Sequence, residues 1–170
     1  MTDEDSLIRL RARCRRTISG DGVPRLDSER VALWRAFQTA AEVVSRLIEA
    51  EMADEFQLSL PQFDLLAALA QHDDQMRVKE LCEVLSAVPS SLSRRIDSLV
   101  ERGYVTREVP PTSDDQRAVV VTLTRMGRLV WRDANILYRR AIQREFAAEL
   151  SETDVGVMSR AISKVAPFRT

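Results

Sequence analysis

The segment Val78–Gly127, VKELCEVLSAVPSSLSRRIDSLVERGYVTREVPPTSDDQRAVVVTLTRMG, decides the fold class of this chain of 170 residues. Its apolar spacing predicts a two-turn helix over residues 79–85, a turn at 86–88, a second helix over 89–102, and then a hairpin of two strands. Pro89 suits the first position of the second helix, because the N–H that proline lacks would have no helical partner there. Gly103 provides a left-handed stop. This order of elements is typical of a winged helix-turn-helix.

The second helix of this segment has one apolar face and one polar face. The predicted buried stripe consists of Leu92, Ile96, Leu99 and Val100. A helix with serine and arginine on its exposed face can enter the major groove of DNA, where an arginine can form two hydrogen bonds with guanine. The side chains predicted to contact DNA are Ser90, Ser91, Ser93, Arg94 and Arg95. The alternative is a solvated face whose arginines pair with Asp97, Glu101 or an acid of the hairpin.

The hairpin has β-rich strands predicted over residues 104–109 and 117–123, with the turn PPTSDD between them. Arg117 follows this turn, and an arginine at such a tip can enter a narrow A·T-rich minor groove, where negative potential is concentrated. Asp115 lies two residues earlier and can hold the arginine side chain in place. The alternative is an exposed ion pair, worth at most about 1 kcal/mol.

Helical segments flank this module on both sides. Residues 1–20 are predicted to form an amphipathic arm, and residues 28–56 a long helix whose apolar positions spread over a broad arc. A Ser59-x-x-Gln62 capping box opens the lobe expected to bind DNA, residues 59–124. Thr124 caps a helix predicted to about Leu150, and a Ser151-x-x-Asp154 box opens the last one. We expect helices within 28–56 and 125–166 to dimerise, which makes the fold class α+β, mostly α: a winged helix-turn-helix with long N- and C-terminal dimerisation helices.

Charge and composition limit the function classes. The formal net charge is −1, and residues 77–128 carry nine cations against seven anions. DNA binding must therefore depend on a few arginines at specific positions and not on a generally basic surface. The two cysteines have no metal-ligand spacing and His72 is the only histidine, so we expect no metal and no cofactor. The sequence contains no phosphate loop or nucleophile elbow, so we do not expect an enzyme. A signal sequence and a run of about 18 apolar residues are also missing, which favours a cytoplasmic protein with no membrane partner.

Two motifs in this segment resemble the MarR family of bacterial regulators. The first runs from Val78-Lys79-Glu80-Leu81 through Ser91-Leu92-Ser93-Arg94-Arg95-Ile96-Asp97 to Arg102-Gly103-Tyr104-Val105. The second is Asp115-Gln116-Arg117 followed by Leu123-Thr124-x-x-Gly127, in which the family uses the acid to hold the wing arginine. The resemblance covers roughly residues 28–166 and leaves the N-terminal arm outside. It implies a homodimeric transcriptional regulator that binds double-stranded DNA, often a repressor that a small molecule releases.

The resemblance also implies an effector site where the dimer helices meet the DNA-binding lobe. The residues of this chain that could line such a pocket are Trp34, Phe37, Gln38, Phe63 and Asp64. The alternative is that these aromatic residues only pack in the core. Asp64 and Arg95 match positions that a urate-type branch of the family uses to couple ligand to recognition helix. The tryptophan that this branch carries in its arm is absent here, which favours another aromatic or phenolic anion over urate.

Two further interpretations remain open from the sequence. The first is a redox-sensing regulator of the same fold that acts through Cys14, which lies among arginines that favour the thiolate, or through Cys82. The second belongs to another class: a winged-helix module that binds proteins and has lost DNA binding. Arg94, Arg95 and Arg117 argue against this second interpretation, since a protein-binding module has no need of them.

Overall fold

A computed structural model describes residues 28–109 and 119–165. The chain divides into two compact units, Met1–Ala41 and Glu42–Thr170. The helices are α1 (Ser28–Phe56), α2 (Leu60–Gln71), α3 (Val78–Val84), α4 (Pro89–Glu101), α5 (Arg125–Ile142) and α6 (Glu152–Val165). The strands are β1 (Gln75–Arg77), β2 (Val105–Glu108) and β3 (Val120–Leu123). The predicted arm over residues 1–20 and the predicted hairpin tip lie outside the described residues.

The helix α2 begins at the predicted capping box. The Gln62 N–H donates to Ser59 Oγ at 3.4 Å, and the Ser59 N–H donates to Gln62 Oε1 at 3.0 Å. Leu58 and Phe63, on either side of the box, are both buried and act as a hydrophobic staple. The helix ends at His72, and Asp73 and Asp74 follow in the left-handed region.

The sheet is antiparallel, with strand order β1-β3-β2. Val105 pairs with Leu123, and Met76 pairs with Val121. The strand β1 ends at Arg77, because Val78 already begins α3. The Arg77 N–H donates to Glu80 Oε2 at 2.9 Å, and this contact starts the helix.

The helix α4 buries Leu92, Ile96 and Leu99 completely, which confirms most of the predicted stripe. The prediction for Val100 is wrong: this side chain is 40% exposed. Leu99 continues the helical period through Leu92 and Ile96, so Val100 falls at the edge of the stripe. Gly103 ends the turn after the helix with φ +71°, as predicted, and its Cβ position is open. Glycine is therefore required there by the positive φ, and not by a lack of space for a side chain.

The helix α5 is capped by Thr124, whose Oγ1 accepts from the Gly127 N–H at 3.0 Å. The helix predicted to about Leu150 is helical as far as Ala147, but its α-helical part ends at Ile142. A π-helical segment, Gln143–Ala147, follows, and the Ala148 N–H donates to the carbonyl of Gln143 at 2.9 Å. The last helix begins at the predicted Ser151 and Asp154 box.

The buried core joins α2, α3, α4, the sheet and parts of α1 and α5. The flanking helices also expose large apolar side chains. On α1 these are Val31, Leu33, Trp34, Phe37, Val43 and Leu47; on α5 and α6 they are Met126, Leu129, Ile136, Val155, Val157 and Val165. These helices therefore carry apolar surface that the described residues 28–109 and 119–165 do not cover.

Candidate nucleic-acid interface

The N-terminal half of α4 presents the five predicted DNA-contact side chains at or near the surface. Ser90 and Arg94 are exposed, whereas Ser91, Ser93 and Arg95 are half-buried. Arg95 Nη2 donates to Ser91 Oγ at 3.1 Å, one helical turn earlier, which holds this guanidinium along the helix. The first turn begins with Val88 at the N-cap, which forms no side-chain hydrogen bond.

In the part of the chain that the structure describes, the acids near α4 leave Arg94 without an ion-pair partner, whereas Arg95 interacts electrostatically with Asp64 of α2. Asp97 pairs with Arg107 of β2 at 3.1 Å. Within residues 28–109 and 119–165, Arg94 has neither a hydrogen-bond partner nor an ion-pair partner for its side chain. The solvated-face alternative named Asp97, Glu101 or an acid of the hairpin as partners of the arginines. Asp97 pairs with Arg107 instead, and the hairpin acids Asp114 and Asp115 lie outside the described residues.

An open cleft of about 320 Å³ lies between the beginnings of α2 and α4. Its lining residues are Ser59, Gln62, Ser90, Ser91, Arg94 and Arg95. Four of them are predicted DNA contacts. Ser59 and Gln62 were recognised in the sequence only as a capping box, and that motif does not reveal that α4 packs beside it. The cleft is polar and cationic, and it lies on the surface expected to face DNA.

Asp64 lies close enough to Arg95 to interact with it electrostatically. Partial burial raises the pKa of the Asp64 carboxyl, and the Arg95 guanidinium opposes this shift. The structure therefore brings together the two residues that the resemblance linked. Neither the aromatic residues predicted for an effector site nor Asp64 line the cleft.

The other residues predicted for an effector site lie in two settings. Trp34 and Phe37 are exposed on α1 and stack on each other, with ring centroids 6.1 Å apart, and Gln38 follows them on the same exposed helix. Phe63 is 3% exposed and stacks on Tyr138 of α5 at 4.9 Å. The ring of Phe63 thus has a packing partner in the core of its own unit.

The remaining candidate residues are only partly described. Asp115, Arg117 and Cys14 lie outside the described residues. Cys82 is a free, half-buried cysteine on α3. His72 Nδ1 lies 2.8 Å from the carbonyl of Ala68, as expected for a residue at a helix end. Within residues 28–109 and 119–165 no three potential ligand side chains come together for a metal, and no helix has the length and hydropathy needed to cross a membrane.

The sequence of this chain is similar to those of known regulators. A sequence profile described as the MarR family matches residues 56–118. The multiple antibiotic resistance protein MarR of Escherichia coli K12 is 32% identical over 88 residues, which are 52% of this chain and 60% of that protein. The chain thus matches less than two thirds of the length of this relative.

Solved structures share the fold over most of the chain. A mutant of E. coli MarR complexed with operator DNA is 26% identical, with a TM-score of 0.70, and the match covers 84% of this chain and 99% of that one. Sco3205, a MarR family regulator from Streptomyces coelicolor in complex with DNA, has a TM-score of 0.77 at 22% identity, with 86% and 91% covered. An organohalide-sensing regulator in its 2,4-dichlorophenol-bound form has a TM-score of 0.71 at 16% identity, with 87% and 86% covered.

The helix-turn-helix of α3 and α4, followed by the β2–β3 pair, makes this chain a winged helix-turn-helix protein. The matched profile, the E. coli relative and the two sequence motifs agree on the particular group. Over residues 56–118 the chain is similar to the MarR family, and most of its fold is shared with solved members of that family.

Proposed function

We propose that the protein is a homodimeric transcription regulator that binds an inverted-repeat DNA operator. The observation that carries this proposal is the exposed N-terminal half of α4, where Arg94 has no acidic partner among the described residues and Ser90 lies beside it. Relatives with this fold have been crystallised with DNA, one of them with its operator. In this proposal α4 enters the major groove, and Arg117 enters the adjacent minor groove with support from Asp115.

The start of α4 is suited to approach a phosphate. Its N-cap, Val88, forms no side-chain hydrogen bond, so the Ser90 N–H has no side-chain cap, and the positive end of the helix dipole lies there. Pro89 has no N–H, and the Ser91 N–H donates to the Val88 carbonyl at 3.0 Å. Arg94 and Arg95 add two positive charges within the next two turns. A phosphate contact at this end would fix the position of the helix, and the serine and arginine side chains would then reach base edges.

The apolar surface on the flanking helices supports the homodimer. Leu33 is 70% exposed and Trp34 is 55% exposed on α1, and Val165 of α6 is 75% exposed. Large apolar side chains exposed on several helices mark an interaction surface. We assign the helices in residues 28–56 and 125–166 to dimerisation and residues 59–124 to DNA binding. A two-fold dimer would then present two α4 helices about 34–36 Å apart to successive major grooves.

We further propose that an organic anion, aromatic or phenolic, releases the protein from DNA. The cleft between α2 and α4 supports this, because its cationic side chains, Arg94 and Arg95, are also the proposed DNA contacts. An anion bound there would occupy both guanidinium groups and compete with phosphate for them. One relative of the same fold, the organohalide sensor, binds 2,4-dichlorophenol. This mode of release is typical of a repressor.

The proposal is tested by selecting duplexes from random DNA with the full-length protein and then titrating the selected site at several salt concentrations. We expect an inverted repeat and an affinity that falls steeply with salt. Arg94→Gln should weaken binding, whereas the matched variant Arg132→Gln on α5, which pairs with neighbouring Asp133, should not. Selection of no repeat, or equal affinities for wild type and Arg94→Gln, would contradict the proposal.

A further inference from the structure

Arg102 contacts the end of another helix from the end of α4. Its Nη1 donates to the carbonyl of Gln57 at 2.8 Å, and its Nη2 donates to the carbonyl of Phe56 at 2.9 Å. The same Nη2 lies 3.1 Å from the hydroxyl of Tyr104, and the guanidinium lies 4.6 Å from the centre of the Tyr104 ring. One side chain therefore joins the recognition helix to the last residues of α1.

An arginine suits this position for two physical reasons. The last carbonyls of a helix have no partners within the helix, and a cation near them is favoured by the helix dipole. Arg102 provides hydrogen-bond donors and a positive charge at the end of α1. Its own backbone N–H closes the last turn of α4 by donating to the carbonyl of Ser98. The planar guanidinium can reach two adjacent carbonyls at once, which the single ammonium of a lysine does less well.

A second contact fixes the same half of α4 to another helix. Gln62 Nε2 donates to Ser98 Oγ at 3.0 Å, while Gln62 Oε1 completes the capping box of α2. The C-terminal half of α4 is thus held to α1 by Arg102 and to α2 by Ser98. The N-terminal half, with Ser90 and Arg94, is left exposed for a ligand.

We propose that Arg102 is a positioning residue that clamps α4 to the end of α1 and thereby sets the operator spacing. This inference depends on the proposed function, in which α1 belongs to the dimer platform. If α1 is fixed in the dimer, the angle between α1 and α4 determines the separation of the two recognition helices. One base pair changes that separation by about 3.4 Å, so loss of the clamp should relax the choice of spacing.

The test measures affinity for operators whose half-sites are at the selected spacing or are moved by one base pair in either direction. Wild type should prefer the selected spacing by about tenfold or more, the scale of one poorly matched position in a site. Arg102→Gln should lose affinity mainly at the selected spacing, so that the preference falls below about threefold. The slope of affinity against salt should not change, because Arg102 contacts protein carbonyls and not phosphate.

Two further variants separate positioning from a loss of folding. Arg102→Lys keeps the charge but cannot hold both carbonyls equally well, so its spacing preference should be intermediate. Arg107→Gln removes an exposed arginine whose partner is Asp97, and it should keep the wild-type preference. An unchanged preference in both Arg102 variants would overturn the proposal. A reduced salt slope would overturn it too, since it would make Arg102 a phosphate contact.

Hydrogen exchange tests the clamp without DNA. Arg102→Gln should speed exchange of the Gln57 and Leu58 amides, which close the last turn of α1, while Arg107→Gln leaves them unchanged. Equal protection in wild type and Arg102→Gln would refute the clamp even if the protein binds an operator as proposed. Faster exchange in a protein that binds no duplex DNA would instead support the clamp, and it would refute the proposed function and the spacing role together.

Discussion

Replacement of Gly127 by alanine should strongly destabilise the protein. Gly127 lies in the first turn of α5, where it is buried, and a Cβ built on it would lie 2.0 Å from the carbonyl oxygen of Tyr104. The same Cβ would lie 2.9 Å from Leu123 Cδ1. The side chain of Leu123 can rotate away, but the Tyr104 oxygen belongs to the backbone at the start of the wing. It would have to move by more than about 1 Å to reach ordinary contact distance.

That movement breaks the contacts that join the wing to α5. The carbonyl of Tyr104 accepts from the Thr124 N–H at 3.0 Å and from Thr124 Oγ1 at 3.1 Å, and Thr124 is the N-cap of the helix. Overpacking costs typically 1–3 kcal/mol, and loss of an N-cap about 1 kcal/mol. The higher helix propensity of alanine returns up to about 1 kcal/mol. With the propensity gain fully returned, we expect a net loss of about 1–3 kcal/mol. For a chain of this size that lowers Tm by roughly 2–12 °C.

Thermal and urea unfolding followed by circular dichroism would measure this loss. Gly156→Ala is the matched control, because Gly156 lies within α6 and the nearest atom to its built Cβ is Arg160 Nη1 at 3.5 Å. This variant should be neutral or more stable by up to about 1 kcal/mol. If Gly127→Ala were as stable as Gly156→Ala, the close approach between α5 and the wing would not exist as described.

Three further predictions concern the cap of α2, a titrating carboxyl and the wing. Ser59→Ala should lower the free energy of unfolding by about 1 kcal/mol, measured in urea, because it removes the acceptor of the Gln62 N–H; Ser163→Ala on α6 is the control. Burial raises the pKa of Asp64, so its carboxyl favours folding at low pH, and this contribution is lost as the pH rises through the raised pKa. In urea unfolding measured at a series of pH values upward from about pH 4, Asp64→Asn should remove this decrease of the unfolding free energy with pH. An unchanged decrease would exclude Asp64 as its source. Arg117→Ala should weaken operator binding at least tenfold, the scale of about 1–3 kcal/mol for a specific contact, without changing the dimer; equal affinity would refute the wing contact.

Local chemistry made much of the fold predictable from the sequence. The capping boxes at Ser59 and Ser151, Pro89 at the start of α4, and Gly103 with its positive φ all lie where the pattern predicted. Each of these signals depends on residues within four positions of each other, so both partners of the contact can be recognised in one short stretch of sequence. The motif that ends at Gly127 was also recognised, and the structure supplies its reason, the contact with the wing backbone.

Features that depend on distant residues were missed. Arg102 contacts carbonyls 45 and 46 residues away. Every residue has a backbone carbonyl, so the residue types in the sequence do not show which carbonyls accept. The cleft requires α2 and α4 to begin side by side, which neither capping signal shows. Val100 was placed in the buried stripe because it is apolar, although it lies at the edge of that stripe and is 40% exposed. The π-helical segment at Gln143–Ala147 likewise interrupts an apolar pattern that predicted a continuous helix.

We propose that the exposed half of α4 binds duplex DNA through arginines at specific positions. The affinity of the full-length protein for its selected operator, measured as a function of salt concentration, tests this binding. With several phosphate contacts per dimer, we expect a straight line of negative slope in a double logarithmic plot, and a loss of roughly 10³-fold between 50 and 200 mM salt. Arg94→Gln should bind more weakly with a shallower slope. An affinity that does not depend on salt, or no binding at the lowest salt, would show that α4 does not bind DNA in this way.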